Sequence, residues 1–184
     1  PILLVHGALG FETLLDSIDY WYQIPYTLRR GGAEVFIAEV SAIHHPTVRG
    51  EQLLMQIQRI IAETGASKVN LMAHSLGSPT ARYAASVRPD LVASVVSIGG
   101  TNTASTLGGM PFEFEDDSFA DNLVGGLFTF LGESIDYLAG TQKHQGGDEL
   151  LDFGKDITAF NKAFPEGLPP SDNPCGEGPL IANN

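Results

Sequence analysis

The ten residues 68–77 read KVNLMAHSLG, and this stretch decides the fold. Its first six residues have the pattern of a buried strand, and residues 76–87 have that of a helix that stops before a proline. In a nucleophile elbow a serine occupies a tight, strained turn between a strand and a helix, with small residues two positions before and after it. Ala73 and Gly77 meet this need, although glycine is the more usual residue at position 73. We therefore predict that Ser75 is a catalytic nucleophile.

The rest of the first half alternates strand patterns with helix patterns. Short apolar runs predict strands at 1–5, 34–40, 68–73 and 91–98, and helical spacing predicts helices at 19–30, 49–64 and 76–87. Strands that alternate with helices of this length are joined as βαβ units. We therefore predict an α/β fold with a mostly parallel sheet, helices on both of its faces, and a single domain over residues 1–184.

A second motif, HGALG at residues 6–10, follows the first predicted strand directly. Acyl transfer needs two N–H donors aimed at the developing oxyanion. In a site built on an elbow, one donor is the backbone of the residue after the nucleophile, here Leu76, and the other comes from the loop after an earlier strand, here Ala8. Gly7 and Gly10 allow close approach of the backbone. A glycine-containing turn without chemistry is the alternative for this motif taken alone.

The second half of the chain is strongly acidic. The whole chain has 10 basic and 22 acidic residues, a net charge of −12, and residues 91–184 account for 14 of the acidic and 3 of the basic ones. Phosphate backbones would be repelled, so we expect no nucleic-acid partner. The acid-rich residues 113–121 lack the ligand pattern of an EF-hand loop, so we predict no calcium site in the residues present. We also expect no other metal site in this chain.

The histidines offer no clear partner for Ser75. His144 is the one histidine that follows it, in the polar loop 141–147, with Asp136 as the acid before it. A histidine in such a loop is usually solvated, so we do not expect His144 to be catalytic. We expect His74 to be a packing residue because neighbours on an elbow do not face each other. For residues 44 and 45, both histidines, we expect a solvated loop because no Cys, Asp or Glu lies near them at ligand spacing.

Many motifs of the chain occur in the order found in one protein family. They are PILLVHG at 1–7, DYWYQIPYTLRRGGAEVF at 19–36, VRGEQLL at 48–54, KVNLMAHSLGSPTARY at 68–83, VRPDLVASV at 87–95, FPEGLP at 164–169 and CGEG at 175–178. With these motifs the chain resembles the secreted, foldase-dependent bacterial triacylglycerol lipases of the Pseudomonas type, in the α/β-hydrolase superfamily. The resemblance covers almost the whole chain and is densest in residues 1–98.

The resemblance implies an α/β-hydrolase fold and the hydrolysis of long-chain triacylglycerol esters. It implies that an acyl-enzyme forms on Ser75, with the backbone N–H groups of Ala8 and Leu76 as the oxyanion hole. It also implies a lipid substrate at an oil–water interface, a dedicated membrane-bound foldase as a partner, and secretion from the cell.

Residues 112–140 match the lid of this family, a segment that lifts at a lipid surface. Within them, residues 121–139 carry large apolar side chains at helical spacing, which predicts an amphipathic helix despite three glycines. The apolar face of the predicted lid consists of Val124, Phe128, Leu131 and Ile135. A fixed core helix is the alternative that the spacing also allows. Residues 150–164 have the pattern of a further helix.

Chains of this family continue well beyond their CGEG motif. We therefore expect residues 1–184 to be a truncated hydrolase domain without its C-terminal third. By resemblance, that third carries the catalytic Asp and His, the calcium ligands and the disulfide partner of Cys175. The chain alone is then expected to be inactive or nearly so and to have no cofactor, with Ca²⁺ only in the complete enzyme.

Two other functions remain open on the residues alone. One is a carboxylesterase or thioesterase on the same fold, which acyl-chain preference would distinguish from a lipase. The other is a non-catalytic fragment that binds apolar ligands without turnover. Rapid reaction of Ser75 with a fluorophosphonate would separate that alternative from an enzyme, because only an activated serine reacts quickly.

Overall fold

A computed structural model describes residues 1–15, 17–100, 102, 118–155 and 157–165. The described strands are β1 (Ile2–Val5), β2 (Thr13–Leu14), β3 (Ile18–Asp19), β4 (Val35–Ile37), β5 (Val69–His74) and β6 (Val92–Ile98). The described helices are α1 (Ile24–Arg30), α2 (Pro46–Thr64), α3 (Gly77–Val87), α4 (Ser118–Ala139), α5 (Gly147–Lys155) and α6 (Ile157–Ala163).

Four strands form one parallel sheet in the order β4-β1-β5-β6, and β2 and β3 form a separate antiparallel hairpin. At the centre of the sheet Val5 of β1 pairs with Ala73 of β5. The crossovers from β4 to β5 and from β5 to β6 run through α2 and α3, as the alternating pattern predicts. The predicted α/β fold with a parallel sheet is therefore confirmed.

Helices cover both faces of the sheet because successive strand residues point to opposite sides. On one face, Leu3 of β1 and Leu71 of β5 pack with buried leucines and isoleucines of α2 and with alanines of α3. On the other face, Leu4 packs with Trp21 and Val35, and Leu28 of α1 lies against this group. The continuous apolar runs of the central strands follow from this two-sided burial.

Helix boundaries differ from the sequence-based ones where proline is involved. Helix α1 begins at Ile24 and not at residue 19, which puts Pro25 in the first turn, where its missing N–H costs nothing. Helix α2 begins at Pro46, three residues before the predicted start, because this proline also fits the first turn of a helix. The side chain of His45 accepts the N–H of Thr47 and caps this helix. The predicted helix over 150–164 is two helices, α5 and α6.

Helix α4 confirms the helical spacing of residues 121–139, and it packs on α5 and on the loop before α5 through small residues. A Cβ on Gly125 would lie 1.7 Å from Oδ1 of Asp148, and one on Gly132 would lie 2.7 Å from Oε1 of Gln145. These glycines therefore permit close packing, in addition to lowering helix propensity. Of the proposed lid, residues 112–117 lie outside the described residues. In the described ranges no helix combines the length and the apolar character that a membrane span requires.

Candidate active site

Ser75 lies in the turn between β5 and α3, where the sequence predicts the elbow. Its φ of 52° is in the left-handed region, which a non-glycine residue adopts only when its surroundings enforce it. The N–H of Ser75 donates to the carbonyl of Ile98 at 3.0 Å, and its own carbonyl accepts the N–H of Ser78 at 3.0 Å. The backbone therefore presents Ser75 in the strained geometry typical of a nucleophile elbow.

The loop after β1 lies directly beside this turn. A Cβ on Gly7 would be 2.9 Å from the Cβ of Ser75, so only glycine allows this approach. Ala8 is exposed, and Leu76 is the buried N-cap residue of α3. Among the hydrogen bonds of the described residues, none uses the N–H of Ala8 or Leu76. Both amides therefore remain available next to Ser75, one of them at the positive end of a helix dipole.

Arg49 anchors the loop after β1, a role that no pattern in the sequence indicates. Its side chain is fully buried and donates to the carbonyls of His6 at 2.6 Å and Ser41 at 2.5 Å, and to Oγ1 of Thr80 at 3.2 Å. Burial lowers the pKa of Arg49 to about 9, so the guanidinium stays charged at neutral pH. Because its partners are mainly backbone carbonyls, no side-chain pattern in the sequence could have identified them.

Tyr20 connects the same loop to the strand that carries Ser75. Its hydroxyl accepts the N–H of Gly7 at 3.0 Å and lies 2.6 Å from Nδ1 of His74. The ring of His74 also packs edge-on against Trp21. His74 is thus a packing residue, as the sequence predicts.

His6 lies beneath the loop in a fully buried and neutral form. Its Nδ1 donates to the carbonyl of Gly7 at 3.0 Å, and its Nε2 faces the N–H of Val40 at 3.5 Å. A Cβ on Gly10 would lie 2.4 Å from Nδ1, so Gly10 is required for this ring position. Burial, with a smaller effect of the Arg49 charge, lowers the pKa of His6 from 6.5 to about 3.

This shift predicts a loss of stability in acid. The unfolded chain takes up a proton on His6 below pH 6.5 while the folded chain resists it down to about pH 3, so stability is complete above pH 6.5 and falls as the pH drops through this window. At pH 4.5 we expect His6 alone to lower the free energy of unfolding by about 3 kcal/mol. Urea unfolding of the protein and its His6→Asn variant at pH 7 and 4.5 measures this. The stability advantage of the unsubstituted protein should shrink at pH 4.5, and an advantage independent of pH would contradict the prediction.

His144 and Asp136 do not form a catalytic pair with Ser75. The Asp136 carboxylate accepts from the backbone of Lys143 at 2.6 Å and from Nε2 of Gln145 at 2.7 Å, and so fixes the loop after α4. His144 is exposed, and its ring packs on His44 with centroids 5.2 Å apart. In the described part of the chain, no hydrogen bond joins the Ser75 hydroxyl to an imidazole or a carboxylate.

The prediction of a solvated loop at residues 44 and 45 is wrong. His44 is only 4% exposed, and His45 is half-buried with its ring against Phe153 and Phe160. Burial lowers the pKa of both histidines. The segments that cover them follow in the chain about a hundred residues later, so local spacing could not reveal them.

The predicted apolar face of α4 lies largely against the protein. Phe128 packs against the cluster around Phe153, and Leu131 and Ile135 are half-buried, while the Val124 side chain is outside the described part. Among the side chains of the helix that the structure describes, the large exposed apolar ones belong to a different set. They are Leu127, Phe130, Tyr137 and Leu138. Most of the acidic stretch 113–121 and Cys175 also lie outside the described residues.

Comparison with known proteins places this geometry in context. The sequence profile of the alpha/beta hydrolase fold matches residues 1–135. A triacylglycerol lipase of Vibrio cholerae is 45% identical over 188 aligned positions, which cover 100% of this chain and 59% of that protein. A triacylglycerol lipase of Pseudomonas fragi is 36% identical over 189 positions, covering 100% of this chain and 63% of that protein. The chain thus spans about three fifths of the length of these curated relatives.

Solved structures support the same architecture. The crystal structure of a Bacillus licheniformis lipase in its mature form matches with a TM-score of 0.58 and 19% sequence identity. The match covers 90% of this chain and 59% of that structure. At this identity the likeness concerns the fold alone.

Proposed function

Because this chain belongs to the alpha/beta hydrolase fold family, we propose that the protein containing it hydrolyses long-chain triacylglycerol esters, with Ser75 as the nucleophile. The observation that carries the proposal is the left-handed turn at Ser75 between β5 and α3, directly beside the loop after β1. The two aligned relatives that are named triacylglycerol lipases support the resemblance and the substrate class.

In this mechanism the Ser75 hydroxyl attacks the ester carbonyl and forms a tetrahedral intermediate. The backbone N–H groups of Ala8 and Leu76 donate to its oxyanion. Collapse of the intermediate breaks the ester C–O bond, and the diacylglycerol leaves with a proton. Water then attacks the acyl-serine and releases the fatty acid. A base must take the serine proton in the first step and return it to the leaving alcohol.

The glycines of the site serve this geometry. Gly7 lets the loop approach Ser75, Gly10 leaves room for the buried His6 ring, and Gly77 brings the start of α3 against the end of β1. Donors fixed in this way are worth more than flexible ones, because they need no reorganisation when the oxyanion forms.

We further propose that α4 is part of a lid and that the substrate is met at an oil–water interface. The exposed Leu127 and Phe130 extend the apolar surface of this helix beyond the residues that the spacing indicates. The resemblance also supports secretion and a dedicated membrane-bound foldase as a partner.

By resemblance the complete enzyme binds Ca²⁺, and the described residues offer no set that suits it. Their one cluster of three metal-ligating side chains contains two imidazoles, whereas Ca²⁺ prefers oxygen ligands. No step of the mechanism depends on this ion.

Ester hydrolysis by the intact protein tests the proposal. With a long-chain triacylglycerol emulsion, Ser75→Ala should lower kcat by about ten-thousand-fold or more, because the covalent route is lost. The exposed serine of the β2–β3 hairpin provides the matched control, and Ser17→Ala should leave kcat unchanged. Full activity of Ser75→Ala would disprove the role of Ser75.

The chain of residues 1–184 alone should show at most residual turnover, because none of its described side chains acts as a base to Ser75. Turnover at the rate of the intact protein, abolished by His144→Ala, would contradict this. Acyl esters of increasing chain length separate a lipase from a carboxylesterase or thioesterase. Binding of an apolar ligand, without rapid reaction of Ser75 with a fluorophosphonate, would favour a binding protein instead.

A further inference from the structure

Two histidines and a glutamate from separate segments of the chain lie close together. His44 precedes α2, His144 lies in the loop between α4 and α5, and Glu149 is in the first turn of α5. One potential ligand atom from each residue lies within 4.8 Å of the other two. We propose that these three side chains form a binding site for a divalent transition-metal ion, with Zn²⁺ as the best fit.

The donor chemistry selects the class of ion. Two imidazole nitrogens and one carboxylate are a set that zinc accepts in four-coordinate sites with one open position. Imidazole ligands also suit cobalt and nickel, whereas magnesium and calcium prefer oxygen. The acidic character of the second half of the chain, with 14 acidic and 3 basic residues after residue 90, favours a cation here.

Hydrogen bonds between the two loops bring the ligands together. The N–H of Ile43 donates to Oε1 of Gln145 at 2.7 Å, and the carbonyl of Ile43 accepts the N–H of Gly146 at 2.8 Å. The Ser41 hydroxyl donates to the carbonyl of His144 at 2.5 Å. The backbones on both sides of the site are therefore fixed before any metal binds, which lowers the entropic cost of binding.

Gly146 leaves room for the ligands themselves. A Cβ at this position would lie 2.3 Å from Oε2 of Glu149 and 2.9 Å from Cε1 of His44. The glutamate carboxylate and the histidine ring thus share the space above a residue that has no side chain.

Small side-chain movements complete the site. Zinc bonds of about 2.0–2.1 Å place tetrahedral ligand atoms about 3.4 Å apart, so the present separations, which are at most 4.8 Å, need to shrink by at most about 1.4 Å. His144 and Glu149 are exposed and are free to make this adjustment, while His44 is buried and fixed.

Binding has one identifiable cost. Nδ1 of His44 accepts the N–H of His45 at 2.8 Å. A neutral ring that binds metal through either nitrogen loses this acceptor, because the other nitrogen then carries the proton. For this reason we expect a dissociation constant in the micromolar range, weaker than that of a structural zinc site with four ligands.

Calorimetric titration of the chelator-treated protein with ZnCl₂ tests the proposal. The unsubstituted protein should show a micromolar site, which His144→Ala and Glu149→Gln each weaken at least about tenfold. Asp152→Asn changes an exposed acid on the same helix outside the cluster and should leave the site intact. Both ligand positions are exposed, so these variants should fold normally.

Two further readouts identify the ligands and the consequence of binding. CoCl₂ should give the visible absorption of a four-coordinate ion with the unsubstituted protein and not with His144→Ala. Zn²⁺ should slow amide hydrogen exchange over residues 141–146, since the ion links this loop to His44. Absence of binding below millimolar Zn²⁺, or equal binding by the protein and both ligand variants, would overturn the proposal.

Discussion

Replacement of Arg49 with methionine should lower the free energy of unfolding by about 3–5 kcal/mol. Methionine has a similar length and fills much of the same space, but it donates no hydrogen bond. The carbonyls of His6 and Ser41 would then lose donors at a depth that water does not reach, since Arg49 is 0% exposed. Each buried acceptor left without a donor costs about 1–3 kcal/mol. We expect the sum of these losses to outweigh the cost of burying the guanidinium charge, which the variant avoids.

The control for this substitution lies on the same helix. Arg59 is exposed and forms an i,i+4 ion pair with Glu63 at 2.7 Å. Solvent screens such surface pairs and they contribute little to stability, so Arg59→Met should be nearly neutral. Urea unfolding followed by the fluorescence of Trp21, the single tryptophan, measures both variants. Similar losses for the two would show that the buried guanidinium is not an anchor.

The stability loss of Arg49→Lys should lie between the losses of Arg49→Met and Arg59→Met. A single ammonium group cannot reach His6, Ser41 and Thr80 together as the planar fork of arginine does. In the intact protein we also expect kcat to fall, because the loop that carries Ala8 loses its support.

Replacement of Gly77 with alanine should also lower the free energy of unfolding strongly, by about 3 kcal/mol or more. The added Cβ would lie 2.4 Å from the carbonyl oxygen of Val5 and 2.8 Å from that of His6. Both atoms belong to the backbone and cannot rotate away. Helix α3 would have to move away from β1, and Ser75 would move with it.

Gly126 is the matched position for this test. It lies on the exposed side of α4, and a Cβ there would meet no atom within 4 Å. Gly126→Ala should therefore stabilise the protein by up to about 1 kcal/mol through helix propensity. The two alanine variants should move the urea midpoint in opposite directions. A stability loss below about 1 kcal/mol for Gly77→Ala would contradict the close contact.

The features that could be predicted from sequence are those whose causes are local. The turn at Ser75 follows from small residues two positions on each side, and the parallel sheet follows from apolar runs alternating with helix patterns. The start of α2 was predicted three residues late, although Pro46 suits the first turn of a helix, where its missing N–H leaves no hydrogen bond unmade. The burial of both faces of the sheet explains why the apolar runs of its central strands are continuous.

The features that escaped prediction depend on residues far apart in the chain. Arg49 binds carbonyls of residues 6 and 41, and carbonyls carry no residue identity. The expectation that His44 is solvated was wrong because residues 143–149 cover it. The residues near His44 in the sequence contain no sign of this segment. For Gly125 and Gly132, helix propensity indicates only a cost in stability, whereas the packing of α4 on Asp148 of α5 and on Gln145 of the preceding loop requires their small size.

The pairing of Val5 with Ala73 has a consequence for how this protein tolerates changes in length. The two central strands deliver Ala8 and Ser75 from the same end of one hydrogen-bond ladder. An insertion inside either strand would shift one group relative to the other by about 3.3 Å. A displacement of about 1 Å already lowers catalytic rates about a hundredfold. Insertions in the largely exposed loop at residues 65–68 leave the ladder unchanged. We therefore expect changes in chain length to be tolerated at that end of the sheet and not at the end that carries the serine.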